Sequence, residues 1–126
     1  LRCRPELAPG NASVDAAAKG LADAGLAQRL MIDLSHSNAA KQAQKQVDVG
    51  HDVARQLAGG EDRIFGVMVE SHLKAGRQDL LPGKPLVYGL SITDGCIGWE
   101  DSSKLLDTLA EAVRKRRVRL LEAAEQ

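Results

Sequence analysis

Residues 30–42 read LMIDLSHSNAAKQ, and the reading of this stretch decides the fold. An apolar run stops abruptly at Ser35-His36-Ser37-Asn38, and an Ala-rich segment with helical spacing takes over. A short, nearly continuous apolar run of this kind is the pattern of a strand covered on both faces. His36 therefore falls where a buried strand gives way to a helix. Two readings of it stand at this point: a histidine in a helix-entry turn, or a ligand or acid–base group at the mouth of an α/β fold.

Working outward, the same alternation recurs. Ser13 to Ala24 is expected to be a helix capped by Ser13, with Val14, Ala17, Ala18 and Leu21 near one face and Gly25 stopping it. A second helix is expected from Ala39 to Leu57, with Ala39, Ala43, Val47, Val53, Ala54 and Leu57 inward, closed by Gly59-Gly60. RIFGVMVES (63–71) is the clearest strand, rich in β-branched residues. From Leu73 to Trp99 the pattern is lost among seven Gly and Pro residues, with PLVYGLS as a candidate local strand, and so long an irregular segment is expected to be a functional loop. The last helix is expected over Ser102 to Leu121, capped by Asp101 or Ser102, burying Leu105, Leu106, Leu109, Ala112 and Val113.

Strands alternating with helices predict parallel pairing through right-handed crossovers. A closed eight-stranded barrel needs about 250 residues, and this chain has 126. The opening LRCRPELAPG, with no initiating Met, is expected to be the tail of a strand that begins upstream. The chain is thus expected to be the last three strand–helix units of a barrel, or a small open sheet, with residues 1–126 forming one partial domain.

Composition narrows the function classes. With 44% apolar and 27% charged residues and a formal net charge of +0, the chain has the make-up of an ordinary globular domain. Even charge gives no reason to expect nucleic acid or an anionic membrane as partner. Two cysteines, Cys3 and Cys96, are too few for a disulfide framework, which favours a reducing, cytoplasmic setting. No run approaches the ~18 apolar residues of a membrane span.

Polar residues recur at one structural position. Arg2, His36 and Glu70 end the successive strands and lie 34 residues apart in each step. The carboxyl ends of parallel strands are where catalytic groups converge. Alternation along a strand puts Ile64, Gly66, Met68 and Glu70 on one face, and Ile32, Leu34 and His36 on one face of theirs; if these line a barrel interior, His36 and Glu70 emerge together. Imidazole and carboxylate on adjacent strands suit a divalent metal, Asp94 offers another oxygen, and the planar fork of Arg2 suits a phosphate or carboxylate. Plainer readings stand beside these: Glu70 as a salt-bridged strand-end carboxylate, Asp94 as a turn residue beside Gly95, Cys96 as a packed thiol, and His72, which shares the face of Glu70 and is a rival ligand, as an exposed loop histidine. His51 lies within a helix and carries no functional weight. RKRRVR (114–119) is expected to be a solvated helix end, with contact to an acidic partner as a minor alternative.

The motifs MIDLSHSNAAKQ, GVMVESHL and SITDGCIGWEDS, in that order and at these separations, resemble the C-terminal part of type I 3-deoxy-D-arabino-heptulosonate-7-phosphate (DAHP) synthase. The resemblance runs from Leu1 to about Arg117. It implies a (β/α)8 TIM barrel, a homo-oligomeric enzyme of the shikimate pathway, and condensation of phosphoenolpyruvate with erythrose 4-phosphate and water to DAHP and phosphate. It implies one divalent metal ion (Mn, Fe, Co or Zn type) whose ligands here match His36, Glu70 and Asp94. A cysteine ligand on an early strand has no counterpart in Cys3 or Cys96. Arg2 matches the arginine that binds the phosphate of phosphoenolpyruvate, although LRCRP stands where the family usually has LRGG. On this reading the chain needs the remainder of the barrel and is inactive alone. The alternative is a non-catalytic split-barrel or assembly module that binds metal or phosphate weakly.

Overall fold

In the element order α1 (Asn11–Asp23), β1 (Leu30–Asp33), α2 (Lys45–Ala58), β2 (Ile64–Met68) and α3 (Trp99–Ala124), each helix follows or precedes a strand. The computed structural model describes residues 11–36, 39 and 42–126. Arg2 and Cys3, and with them the expected first strand end, lie outside the described residues. β1 and β2 pair in parallel as a two-stranded sheet, with α2 as the crossover between them. The coarse α/β reading of the sequence therefore stands.

Glycine ends two of the helices. Gly25 (φ 71°) follows α1, where the Leu26 N–H reaches the Leu21 carbonyl and the Gly25 N–H that of Ala22. Gly60 (φ 106°) repeats the arrangement after α2, with Glu61 N–H on Gln56 and Gly60 N–H on Leu57. Both are Schellman closures, in which a left-handed residue lets the chain turn back on the last carbonyls.

The core lies between the sheet and α2 and α3. Leu30, Ile32, Leu34 and Ile64 bury against Val49, Val53, Leu57, Leu105, Leu109 and Ala112. Gly50 lets the two helices approach, since a Cβ there would overlap Leu105. This placement corrects the expected strand faces. Leu30 pairs with Ile64 but Met31 with Gly66, so β2 carries one extra residue, Phe65, at a bulge. Beyond it Val67 faces with Ile32, and both Val67 and Val69 pack on the core. Ile32 and Leu34 thus face the helices, and the bulge separates Ile64 from Gly66, which instead approaches Met31. Met31 on that opposite side is 46% exposed.

The helix limits differ from expectation in instructive ways. α1 starts at Asn11, so Ser13 lies inside it and is buried rather than capping. α2 begins at Lys45, six residues later than expected, because the turns before it, with Gln42 N–H on Ala39 and Lys45 N–H on Gln42, are too tight for an α-helix. α3 begins at Trp99 with Gly98 at the cap position, and Glu100 and Asp101 fall in its first turn, where the helix dipole favours them. Leu106 is exposed because the buried stripe of α3, Leu105, Leu109 and Ala112, is one residue wide and its neighbour lies ~100° away.

Two further points concern charged groups. Arg116 is not merely part of a solvated helix end: its guanidinium donates to the carbonyls of Glu61 (3.2 Å) and Ile64 (2.9 Å), tying α3 to the start of β2. Glu61 in turn accepts from the Arg63 side chain at 2.8 and 2.6 Å and from its N–H at 2.9 Å. These bonds hold the Glu61 carboxyl below its ordinary pKa, with Arg63 as the leading cause. A depressed folded-state value gives stability that is present above the unfolded pKa and lost as pH falls through the folded one. The urea midpoint is therefore expected to fall on acidification below about pH 5, and to fall less steeply in Glu61→Gln; an identical acid dependence of the two proteins would show that Glu61 contributes nothing to it.

Candidate metal centre

Beyond Met68 the chain leaves the ladder, and the two ends of the long loop are zipped together. His72 N–H bonds the Ile97 carbonyl, Ile97 N–H bonds Glu70, and Gly76 and Cys96 exchange both backbone hydrogen bonds. This pairing carries Asp94 back beside Glu70. The expected irregularity of the segment is found, with three isolated bridges and no strand over PLVYGLS. Leu86, Val87 and Tyr88 are exposed there, and the Gln78 amide holds the backbone of Val87 and Leu90.

Among the described residues one group of His, Cys, Asp and Glu side chains has the geometry to hold a metal ion: His36, Glu70 and Asp94, whose donor atoms all lie within 4.8 Å of one another. His36 Nε2 is 3.4 Å from Glu70 Oε1 and 4.0 Å from Asp94 Oδ2. Two donors each about 2.1 Å from a shared ion stand roughly 3.0–3.4 Å apart at octahedral to tetrahedral angles. The histidine–glutamate separation fits that range, and Asp94, the most exposed of the three, lies slightly outside it. One nitrogen and two carboxylate oxygens form a donor set suited to a borderline or hard divalent cation. The residues present fit such an ion.

His36 reaches this position by a route that strand alternation does not supply. Its φ is 42°, making it the non-glycine residue with left-handed backbone among those described. That conformation costs on the order of 1 kcal/mol and persists where surrounding contacts fix it. Here Asp33 fixes it twice. One carboxylate oxygen accepts the Ser35 N–H at 2.9 Å, and the other meets His36 Nδ1 at 2.8 Å. With Nδ1 hydrogen-bonded to a carboxylate, Nε2 is the nitrogen presented to Glu70 and Asp94.

Ser35 adds a second tie by donating its hydroxyl to Glu70 Oε2 at 2.7 Å, which leaves Oε1 on the side of His36. Neither strand periodicity nor the spacing of the strand ends singles out Asp33 and Ser35. An acidic residue three positions before a candidate ligand histidine, at the end of a strand, was the available signal.

The remaining candidates separate cleanly. His72 accepts the Leu73 N–H on Nδ1 and takes no part in the cluster. His51 is exposed on α2. Cys96 is a free thiol whose pKa is raised, first by burial and further by the negative charges of Glu70 and Asp94. Arg2 lies outside the described residues.

Known proteins resemble the chain closely. The family model described as DAHP synthetase I family matches residues 9–107. The Phe-sensitive phospho-2-dehydro-3-deoxyheptonate aldolase of Escherichia coli (strain K12) is 60% identical over 99 residues, covering 79% of this chain and 28% of that enzyme. A Trp-sensitive relative from Enterobacter agglomerans is 50% identical over 103 residues, covering 82% and 30% respectively. The structure of the aldolase from Francisella tularensis SCHU S4 superposes with a TM-score of 0.80 at 43% identity, over 85% of this chain and 31% of that one. The chain thus spans less than a third of the length of these relatives. Across most of its own length, it belongs to the DAHP synthetase I family.

Proposed function

We propose that this chain supplies the metal-binding end of a DAHP synthase, forming the last three strand–helix units of its (β/α)8 barrel. β1 and β2 would be the last two strands, and Leu1–Arg2 the end of the strand before them. Family membership and the parallel sheet support this placement, as does the exposure of the sheet side bearing Met31, which a closed barrel would cover. The reaction is condensation of phosphoenolpyruvate with erythrose 4-phosphate and water, releasing phosphate. The observation that carries the site assignment is the convergence of His36, Glu70 and Asp94 at the carboxyl ends of the two strands.

In this reading His36, Glu70 and Asp94 would hold one divalent ion, which when bound would supply Lewis-acid polarisation of the aldehyde oxygen or of the attacking water. The chain's own residues do the positioning. Asp33 keeps the His36 ring turned toward the carboxylates. Ser35 holds the Glu70 carboxylate in one rotation. Three acidic groups around one imidazole concentrate negative charge at the strand ends, which favours a cation there. Arg2 is assigned the phosphate of phosphoenolpyruvate, where a permanent planar cation neutralises the departing group. The fourth ligand and the rest of the substrate contacts come from the preceding part of the barrel, so the chain alone is inactive.

The alternative role is a non-catalytic split-barrel or assembly module that binds metal or phosphate weakly. The two part on whether the chain completes a working enzyme. Joining it to the N-terminal part of the E. coli relative is expected to give a metal-dependent synthase, inactive after chelation and restored by added Mn²⁺. Failure of a folded, metal-loaded hybrid to form product would leave the module reading.

In that completed barrel, His36→Ala and Glu70→Ala are each expected to lower metal occupancy and turnover together, by about a hundredfold or more, and Asp94→Ala by a smaller factor because it is the most solvated donor. Full metal content in an inactive His36→Ala protein would contradict the assignment. Asp33→Asn preserves shape but weakens the hold on the ring, and an approximately tenfold loss of Mn²⁺ affinity is expected by titration; unchanged affinity would remove Asp33 from the account.

A further inference from the structure

Glu70 lies two residues past the end of β2, so the β1–β2 ladder no longer serves its peptide groups. Buried backbone donors and acceptors need partners. One side chain serves both. Gln46, in the first turn of α2, accepts the Glu70 N–H on Oε1 at 2.8 Å and donates from Nε2 to the Glu70 carbonyl at 3.0 Å. Ile97 N–H is a second donor to that carbonyl at 3.1 Å. Gln46 has 0% exposure although it is a polar residue on a helix.

A primary amide carries the donor and acceptor of a peptide unit in one plane. Gln46 therefore gives the Glu70 peptide, from a helix, a donor and an acceptor of the kind a paired strand supplies. We propose that Gln46 is a positioning residue for Glu70. It fixes the main chain at the strand end, Ser35 fixes Oε2, and Oε1 is thereby set toward His36. The inference rests on the cation-binding reading of His36, Glu70 and Asp94 and extends it to a residue on a different element. Its consequence is a mechanical link. α2 packs on α3 through Gly50 and Leu105, one turn along from Gln46, so a shift of α2 against α3 would be passed through Gln46 to the Glu70 main chain.

The experiment is Mn²⁺ titration, followed by the electron paramagnetic resonance of the free ion, on the completed barrel. Gln46→Met keeps length and bulk but removes both hydrogen bonds, and is expected to weaken Mn²⁺ binding about ten- to a hundredfold. In a Glu70→Ala background the same change is expected to alter affinity by less than about twofold, because Gln46 acts through the missing carboxylate. A general structural effect would weaken both backgrounds equally, and that result would overturn the proposal. If Gln46→Met does not fold, Gln46→Glu replaces it: this variant keeps the size, loses the donor and sets an oxygen against the Glu70 carbonyl, and the same dependence on Glu70 is expected. Glu70→Ala with unchanged affinity would sink the cation reading itself and this inference with it. Weakened binding in Glu70→Ala but not in the Gln46 variants would sink the inference alone.

Discussion

Parallel pairing of β1 with β2 is the constraint from which the site follows. Two parallel strands joined through a helix begin and end at the same heights, so whatever follows Asp33 stands beside whatever follows Met68. His36 and Glu70 are far apart along the chain, yet this pairing delivers them to one place without any direct contact having to drive the meeting. The energy for the pairing comes from the helix side. Ile32, Leu34 and Ile64 are almost wholly buried under α2 and α3, and burial of such side chains is worth about 1.5–3 kcal/mol each. Apolar packing on one side of the sheet thus holds polar chemistry at its end.

A strand end alone gives position but not aim. Aim comes from a set of short hydrogen bonds that connect elements distant in sequence: Asp33 to Ser35 and His36, Ser35 to Glu70, and Gln46 to the Glu70 backbone. Each is at normal hydrogen-bond length, and each polar group involved is at least partly withdrawn from water, where a missing partner costs more than in solvent. The left-handed backbone at His36 belongs to this arrangement. Without it, alternation would continue the Ile32 and Leu34 direction and turn the ring toward the helices. The local strain is offset by the Asp33 contacts, and the result is a ring whose Nδ1 meets Asp33 and whose Nε2 faces Glu70.

Much of this was legible in the residues. Apolar runs bounded by polar turns marked both strands, and Gly25 and Gly59-Gly60 marked where two helices stop. The even spacing of polar strand ends pointed to His36 and Glu70. What could not be read was anything that depended on a single inserted residue or on side-chain direction. The bulge at Phe65 reverses the alternation of β2 and is invisible to a period-2 pattern. Gln46 reads as an ordinary polar helix residue, because nothing local reveals that its amide faces a strand end seen only in the folded chain. Asp94 was named from its motif, but the loop pairing that brings it beside Glu70, beginning at Ser71 and Ile97, joins residues with no shared periodicity. The start of α2 was misplaced for a similar reason: Ala-rich spacing fits a helix, while the turns before Lys45 follow from how the chain leaves the site.

The central claim is that an imidazole and two carboxylates surround a single cation. Anomalous scattering from crystals of the completed barrel grown with Mn²⁺ tests it most directly. The account predicts one peak within about 2.0–2.4 Å of His36 Nε2 and of a carboxylate oxygen from each of Glu70 and Asp94. A peak elsewhere, with His36 Nε2 turned away from Glu70, would contradict it.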